Sequence, residues 1–298
     1  MDLLKWKMTS KQPKWPKIVP VESLDIPPIN VADSSTVRIS FVGHVTFLIQ
    51  TNGLNILTDP VWSDRASPFS FAGPKRVSKP GIKFDDLPKI DIVLISHNHY
   101  DHLDIATIRK LWNRDKPLII TPLMNDRILK SNISDIDVTT LNWGENVEVA
   151  NNSYIHLEPA QHWSARGVFD QNKALWGTFI INNNARSICF IGDSGYSSDI
   201  FNNIGLKYNI LLSLTPIGAY KPRWFMKDVH MNPEEAVLVH KAMRSQYSIA
   251  SHFNAFQLAD EKFDQAITEL EHALIQHNIS SENFIIPKVG KVYYFDAI

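Results

Sequence analysis

The run DIVLIS, residues 91–96, is apolar at nearly every position and leads directly into SHNHYDHLD, residues 96–104. A strand of that composition has no solvent face, so it predicts a sheet covered on both sides. PLIIT, SICFIG, NILLSLTP and YSIAS are apolar runs of the same kind. Several buried strands with helices between them predict an α/β fold of layered sheets with the helices outside.

The rest of the chain fits that frame. VRISFVG, TFLIQT and NILTDP read as short strands, and Asn52-Gly53 between the last two is a hairpin signal. A loop over residues 60–88 precedes DIVLIS, and a helix is expected from Asp104 to Trp112. PLIIT, a helix from Met124 to Lys130, DVTTLNW, ENVEV, SYIHLEP, ALWGTFIIN and SICFIG continue the alternation. Asn232-Pro233-Glu234-Glu235 reads as a helix start, with Asn at the N-cap, Pro at N1 and Glu at N3. Residues 260–278 predict a last amphipathic helix. Residues 1–36 carry Pro13, Pro16, Pro20, Pro27 and Pro28 without periodicity, which predicts an extension over the surface and one domain from 37 to 298.

Charge and cysteine usage exclude several classes. A net charge of −1 offers no field for a nucleic-acid backbone, so nucleic acid is not an expected partner. The single cysteine, Cys189, lies in an apolar run and reads as a small buried hydrophobe, and one cysteine permits no internal disulfide. The first residues show no secretory h-region and no segment of membrane-spanning length. The expectation is a cytoplasmic, non-secreted protein.

The chemistry concentrates in residues 97–102. His97 and His99 share one side of an extended segment, and the turn into the following helix redirects Asp101 and His102 toward a neighbouring point. Three imidazoles and one carboxylate in six residues suit zinc or a similar metal, and a core could not satisfy so many imidazoles otherwise. Further ligand types stand where other apolar strands end: His162 after SYIHLEPAQ, Asp193 after SICFIG and His252 after YSIAS. Together these seven residues predict two metal ions, most naturally two Zn2+. His156, His240, His272 and His277 fall inside strands or helices and read as ordinary packed or solvated side chains. His44 and His230 sit in loops beside the expected site segments and are candidates for substrate contact or for supporting the ligands. Ser194 lacks the surroundings of an activated nucleophile.

These residues resemble a known family. The H-x-H-x-D-H motif, the later His, the Gly-Asp-Ser-Gly segment and the final Ser-His are similar to the metallo-β-lactamase fold superfamily. Within it, FVGHVTFLIQ, LTDPVWSDRASP, GPKR, PAQHW, ALWG, GDSGY, PIGAYKPRWFM and HMNPEEAV resemble the N-acyl-phosphatidylethanolamine-hydrolysing phospholipase D group. The resemblance implies a four-layer αββα sandwich with the metals at one edge of the sheets. It also implies His97, His99 and His162 on one zinc, Asp101, His102 and His252 on the other, and Asp193 bridging.

The implied activity is zinc-dependent hydrolysis of N-acyl-phosphatidylethanolamine or related glycerophospholipids to N-acylethanolamine and phosphatidic acid. A hydroxide held between two metals roughly 3.5–4 Å apart would be the nucleophile, with Asp101 and Asp193 as the catalytic carboxylates. The same centre could instead serve a soluble sugar-phosphate lactone or cyclic phosphodiester, or a non-catalytic membrane scaffold. Trp62, Phe69 and Phe71 share the long loop with Arg65, Lys75, Arg76 and Lys79, which together would suit an acylated phosphodiester. Trp163, Tyr220 and Trp224 lie in segments near the site and are further substrate-contact candidates. A phospholipid substrate, a peripheral contact with the inner membrane face and a homodimer are the partner expectations. In the tail, Lys5, Lys7, Lys11, Lys14 and Lys17 surround Trp6 and Trp15 with only Asp2 opposing them. That segment reads either as a weak membrane anchor or as an extension pinned to the domain by its tryptophans.

Overall fold

The computed structural model describes residues 13–21, 36–150, 152–183 and 186–296. Two seven-stranded mixed sheets pack face to face. The first runs β14-β1-β2-β3-β4-β5-β6, built from β1 (Thr36–Gly43), β2 (Thr46–Thr51), β3 (Leu54–Thr58), β4 (Ile92–Leu94), β5 (Leu118–Pro122), β6 (Val138–Leu141) and β14 (Val292–Asp296). The second runs β13-β12-β11-β10-β9-β8-β7, from β7 (Asn146–Ala150), β8 (Ser153–Glu158), β9 (Thr178–Asn183), β10 (Arg186–Phe190), β11 (Ile210–Pro216), β12 (Tyr247–Ser251) and β13 (Phe284–Ile285).

Side-chain alternation builds three cores from the apolar runs. Ile39, Phe41, Ile92, Leu94, Ile188, Phe190, Leu214 and Ile249 point between the sheets. Val93, Ile95 and Ile119 point outward on the first sheet, beneath α1 (Ile105–Asp115) and α2 (Asp126–Asn132). Cys189, Ile191, Ile210 and Ala250 point outward on the second, beneath α3 (Ser198–Lys207), α5 (Pro233–Ala242) and α6 (Gln265–Gln276). The result is the expected four-layer αββα sandwich. It also explains why these strands are apolar throughout, since each is covered on both faces.

Local signals behave as their chemistry requires. Asn52 and Gly53 both take positive φ in the turn joining β2 to β3, the geometry a tight hairpin needs. Asn232 and Glu235 close a capping box with Pro233 at the start of α5. Cys189 is buried with its Sγ 3.9 Å from Met243 Sδ, and burial raises its thiol pKa.

Several boundaries differ from expectation. The helix expected at Met124 begins at Asp126, because Met124 takes positive φ. The last helix starts at Gln265 rather than 260, the preceding residues forming a loop that buries Glu261. Strands β13 and β14, helix α3 and the short α4 (Arg223–Met226) carry weak periodicity and were not expected. β14 nonetheless closes the first sheet by pairing antiparallel with β1.

Of the tail, residues 13–21 run across the domain. Trp15 Nε1 donates to the Glu261 carbonyl at 2.9 Å, its ring meets Phe263 edge-on, and Val19 N donates to Val77 O at 2.7 Å. Lys5, Trp6, Lys7, Lys11, Pro27 and Pro28 lie outside the described residues. Among the described residues no helix is long and apolar enough to cross a membrane.

Candidate metal centre

The loops after β4, β8, β10 and β12 meet at one edge of the sandwich, joined by the β1–β2 turn and the end of β3. Asp104 ends the histidine-rich motif as the N-cap of α1, its side chain accepting from Ala106 N and Thr107 N. That cap fixes the turn holding Asp101 and His102. Glycines make room elsewhere: a Cβ on Gly192, which has positive φ, would lie 2.6 Å from Ser96 Cβ, and one on Gly218 would lie 1.8 Å from the His252 carbonyl oxygen. His252 itself takes positive φ and is tied through its N–H to His44 O at 2.8 Å.

The seven residues singled out from the sequence converge. His99 Nδ1 lies 2.8 Å from His97 Nε2 and 3.3 Å from His162 Nε2. Asp101 Oδ2 lies 3.2 Å from His252 Nε2 and 3.3 Å from His102 Nε2. Asp193 Oδ2 sits between the groups, 3.0 Å from His102 Nε2, 3.2 Å from His252 Nε2, 3.8 Å from His162 Nε2 and 3.9 Å from His97 Nε2.

Their protonation is set by burial against charge. Burial pushes His97 well below its ordinary value, His99 to about 4 and His162 to about 3, so this group is neutral at physiological pH. Burial also opposes charge on His102 and His252, but Asp193 and Asp101 outweigh it, holding His102 well above its usual range and His252 at about 9. The same pairing, against burial, keeps Asp101 and Asp193 well below the usual carboxylate range.

This donor set fits divalent metal. Imidazole nitrogens facing one another at 2.8 and 3.3 Å need a proton or cation between them, and buried Asp193 Oδ1 has no hydrogen-bond partner among the described residues. His97, His99 and His162 form one cluster of metal-ligand type, and Asp101, His102 and His252 form another that also includes His44.

Supporting residues hold these rings in place. Asp59 Oδ2 lies 2.6 Å from His102 Nδ1, Ser96 Oγ lies 2.9 Å from His97 Nδ1, and His162 Nδ1 faces Val229 O at 2.8 Å. Sequence reasoning missed Asp59 and Ser96. Asp59 carried the same signal as Asp193, a carboxylate closing an apolar strand. His44 Nε2 lies 2.9 Å from Asp101 Oδ2. His230 Nδ1 lies 3.9 Å from Asp193 Oδ2, and its carbonyl is held by Arg223 Nη1 at 2.8 Å. Arg223 also pairs with Glu235, so the α5 capping box fixes the His230 loop.

The other candidates separate. Trp163 packs edge-on against His99 with centroids 4.6 Å apart, forming a wall of the site. Trp224 is 50% exposed on α4 and packs on Phe225. Tyr220 is a correction: its ring is 1% exposed within the helix-side core of the second sheet, leaving no surface for substrate. Trp62 and Arg76 are corrections too. Trp62 packs on Phe84 and donates to Ile82 O, while buried Arg76 donates to Val61 O and Ser63 O and stacks on Phe256. Arg65 is spent on Ser70 O and Gly73 O. His240 meets Ser248 Oγ at 2.8 Å away from the centre, and Ser194 Oγ is engaged by Gln161 N and Gly195 O, both in keeping with ordinary structural roles.

The beta-lactamase superfamily domain matches residues 54–253. The chain belongs to the metallo-β-lactamase superfamily. Within the superfamily it falls in the N-acyl-phosphatidylethanolamine-hydrolysing phospholipase D-like group. It is 37% identical over 268 residues to a Caenorhabditis elegans protein named N-acyl-phosphatidylethanolamine-hydrolyzing phospholipase D 1, covering 85% of this chain and 74% of that one. It is 36% identical over 251 residues to the Saccharomyces cerevisiae mitochondrial protein of the same name, covering 82% of this chain but only 53% of the yeast protein. Igni18, a metallo hydrolase from Ignicoccus hospitalis, superposes with a TM-score of 0.65 at 22% identity, covering 88% of this chain and 99% of that one. The family and the donor set together make this the centre of a metal-dependent hydrolase.

Proposed function

We propose that the chain is a zinc-dependent phosphodiesterase of phospholipase D type. Its substrate would be N-acyl-phosphatidylethanolamine or a related glycerophospholipid, and its products N-acylethanolamine and phosphatidic acid. The observation that carries the dinuclear reading is Asp193 Oδ2, within 3.0–3.9 Å of imidazole nitrogens from both groups. His97, His99 and His162 would hold one zinc, Asp101, His102 and His252 the other, and Asp193 both. A zinc pair there supplies an activated water at neutral pH and neutralises charge on the phosphate oxygens. Asp101 and Asp193, held ionised by their imidazole neighbours, would balance that cationic charge. His230, neutral because burial lowers it to about 3, can meet a phosphate or leaving-group oxygen as a hydrogen-bond donor.

The substrate class rests on the identity to the nematode and yeast relatives. Exposed apolar tips support it. Phe69 and Phe71 pack with ring centroids 5.5 Å apart at 55% and 79% exposure, and Val168 and Phe169 are each 87% exposed. Both tips adjoin the ligand loop. Arg166 donates to Asn98 O and Leu103 O, while Phe69, Tyr100 and Arg166 line one groove. Apolar tips beside a phosphodiester site suit acyl chains entering from a lipid surface. Trp15 is taken up by the domain, so the membrane contact falls to these tips rather than to that tryptophan.

The test is zinc-loaded protein incubated with N-acyl-phosphatidylethanolamine vesicles and, separately, with soluble phosphodiesters and lactones, the products resolved by mass spectrometry. Equal release of N-acylethanolamine and phosphatidic acid supports the reading. Turnover of soluble substrates alone moves the centre to the soluble class, and metal binding without turnover leaves a non-catalytic role.

A further inference from the structure

Of the five histidines read as metal ligands, four turn Nε2 toward the centre, and three of these have their Nδ1 engaged: His102 by Asp59, His97 by Ser96 and His162 by Val229 O. His252 is the fourth. Its Nδ1 is buried without a hydrogen-bond partner among the described residues. Metal-binding histidines nearly always give their second nitrogen to a carboxylate, a carbonyl or a water, which fixes tautomer and ring orientation. A partner for His252 is therefore to be sought beside it.

One is present. Glu261 is 5% exposed, with Oε1 accepting from Ala219 N at 2.6 Å and Oε2 unpartnered. Glu261 and His252 line the same small cavity, together with Gly218, Ala219 and Phe256, and it has room for about one water. The Trp15 ring forms another wall, and its indole N–H is bonded to the Glu261 carbonyl, so the tail covers one side of the cavity. Burial raises the Glu261 pKa, against backbone N–H groups, Ala219 among them, and nearby His252, which lower it.

We propose that Glu261 is the positioning carboxylate of His252, receiving its Nδ1–H through one water in this cavity and so aiming Nε2 at the oxygens of Asp101 and Asp193. This rests on the reading of His252 as a metal ligand. The arrangement repeats the Asp59–His102 pair with a water inserted, and it gives the buried acid and the buried ring nitrogen each a partner. It also gives Trp15 a function, as a wall that holds the water between the two groups.

Glu261→Gln tests it, since glutamine keeps the volume and the bond to Ala219 N but replaces the free acceptor with a donor. The full-length protein is dialysed against graded zinc buffers and its metal content measured. Its melting temperature is taken separately in excess chelator. The expected result is one zinc held roughly 10- to 100-fold more weakly, the other held as in the wild type, and an unchanged melting temperature in chelator. Trp15→Ala should weaken the same position by a smaller factor. The proposal is overturned if Glu261→Gln keeps both metals at wild-type affinity, or if metal is lost only in step with a lower melting temperature in chelator. A wild-type protein that binds no zinc would remove the ligand role of His252 as well, whereas two tightly held zincs in both proteins would sink the Glu261 role alone.

Discussion

His102 Nδ1 lies 2.6 Å from Asp59 Oδ2, and neither side chain has access to solvent. The same carboxylate accepts from Ser96 N at 2.7 Å and Ser96 Oγ at 2.6 Å, so it fixes both the histidine and the start of the ligand loop. Asp59→Asn should lower zinc affinity at the His102 position by roughly 10- to 100-fold while leaving the His97 group occupied. Metal titration of the purified variant measures this. Uniform loss at both positions would instead mean that Asp59 serves the fold.

Gly218 passes so close to His252 that an added Cβ would sit 1.8 Å from its carbonyl oxygen. Gly218→Ala must therefore move the strand end that carries the ligand. We expect a cost of about 3 kcal/mol or more in urea unfolding, together with loss of metal at the His252 position. Wild-type stability and metal content in this variant would contradict the packing described.

Acid and base each destabilise the metal-free centre, through different histidines. In chelated protein His252 titrates at about 9, above its ordinary 6.5, because its carboxylate neighbours outweigh burial. It stabilises the fold fully below pH 6.5, and that contribution is lost as pH rises through about 9. His44, His162 and His230, lowered to about 3 by burial, protonate in the unfolded chain first, so they cost stability as pH falls from 6.5 toward 3. Metal uptake at His252 must displace a proton at pH 7, whereas uptake at His99 and His162 need not. Calorimetry in buffers of different ionisation enthalpy should show net proton release, and zinc affinity at the second position should rise with pH up to about 9. No proton release at pH 7 would contradict the assignment.

His230 and His240 lie at the two ends of one segment with different surroundings. His230 faces Asp193 at 3.9 Å, while His240 bonds Ser248 Oγ behind the sheet. His230→Ala should lower turnover by roughly 10²-fold with both metals retained. His240→Ala should leave turnover near wild type and cost about 1–3 kcal/mol of stability. Equal, small effects on turnover would return His230 to a structural role.

Much of this architecture was legible in the chain because burial on two faces writes itself as unbroken apolar runs. DIVLIS, SICFIG and YSIAS announced both the layers and the strand ends from which His97, Asp193 and His252 project. The parts that were not legible depend on contacts distant in sequence. β14 is a strand because β1 offers it an edge, and the long loop packs Trp62 on Phe84 and buries Arg76 rather than presenting them to a lipid. Tyr220 read as a site residue from its neighbours in PIGAY, but its ring turns into the helix-side core. Glu261 carried no signal at all, since its meaning comes only from the cavity it shares with His252.

The central claim is a pair of metals joined by Asp193, and metal counting by elemental analysis tests it most directly. Protein purified without chelator should carry about two zinc ions per chain. Asp193→Asn should impair both positions and Asp101→Asn mainly one, each variant remaining folded by circular dichroism. A wild-type content near zero after gentle zinc reconstitution, or an Asp193→Asn variant that keeps both metals, would contradict the account.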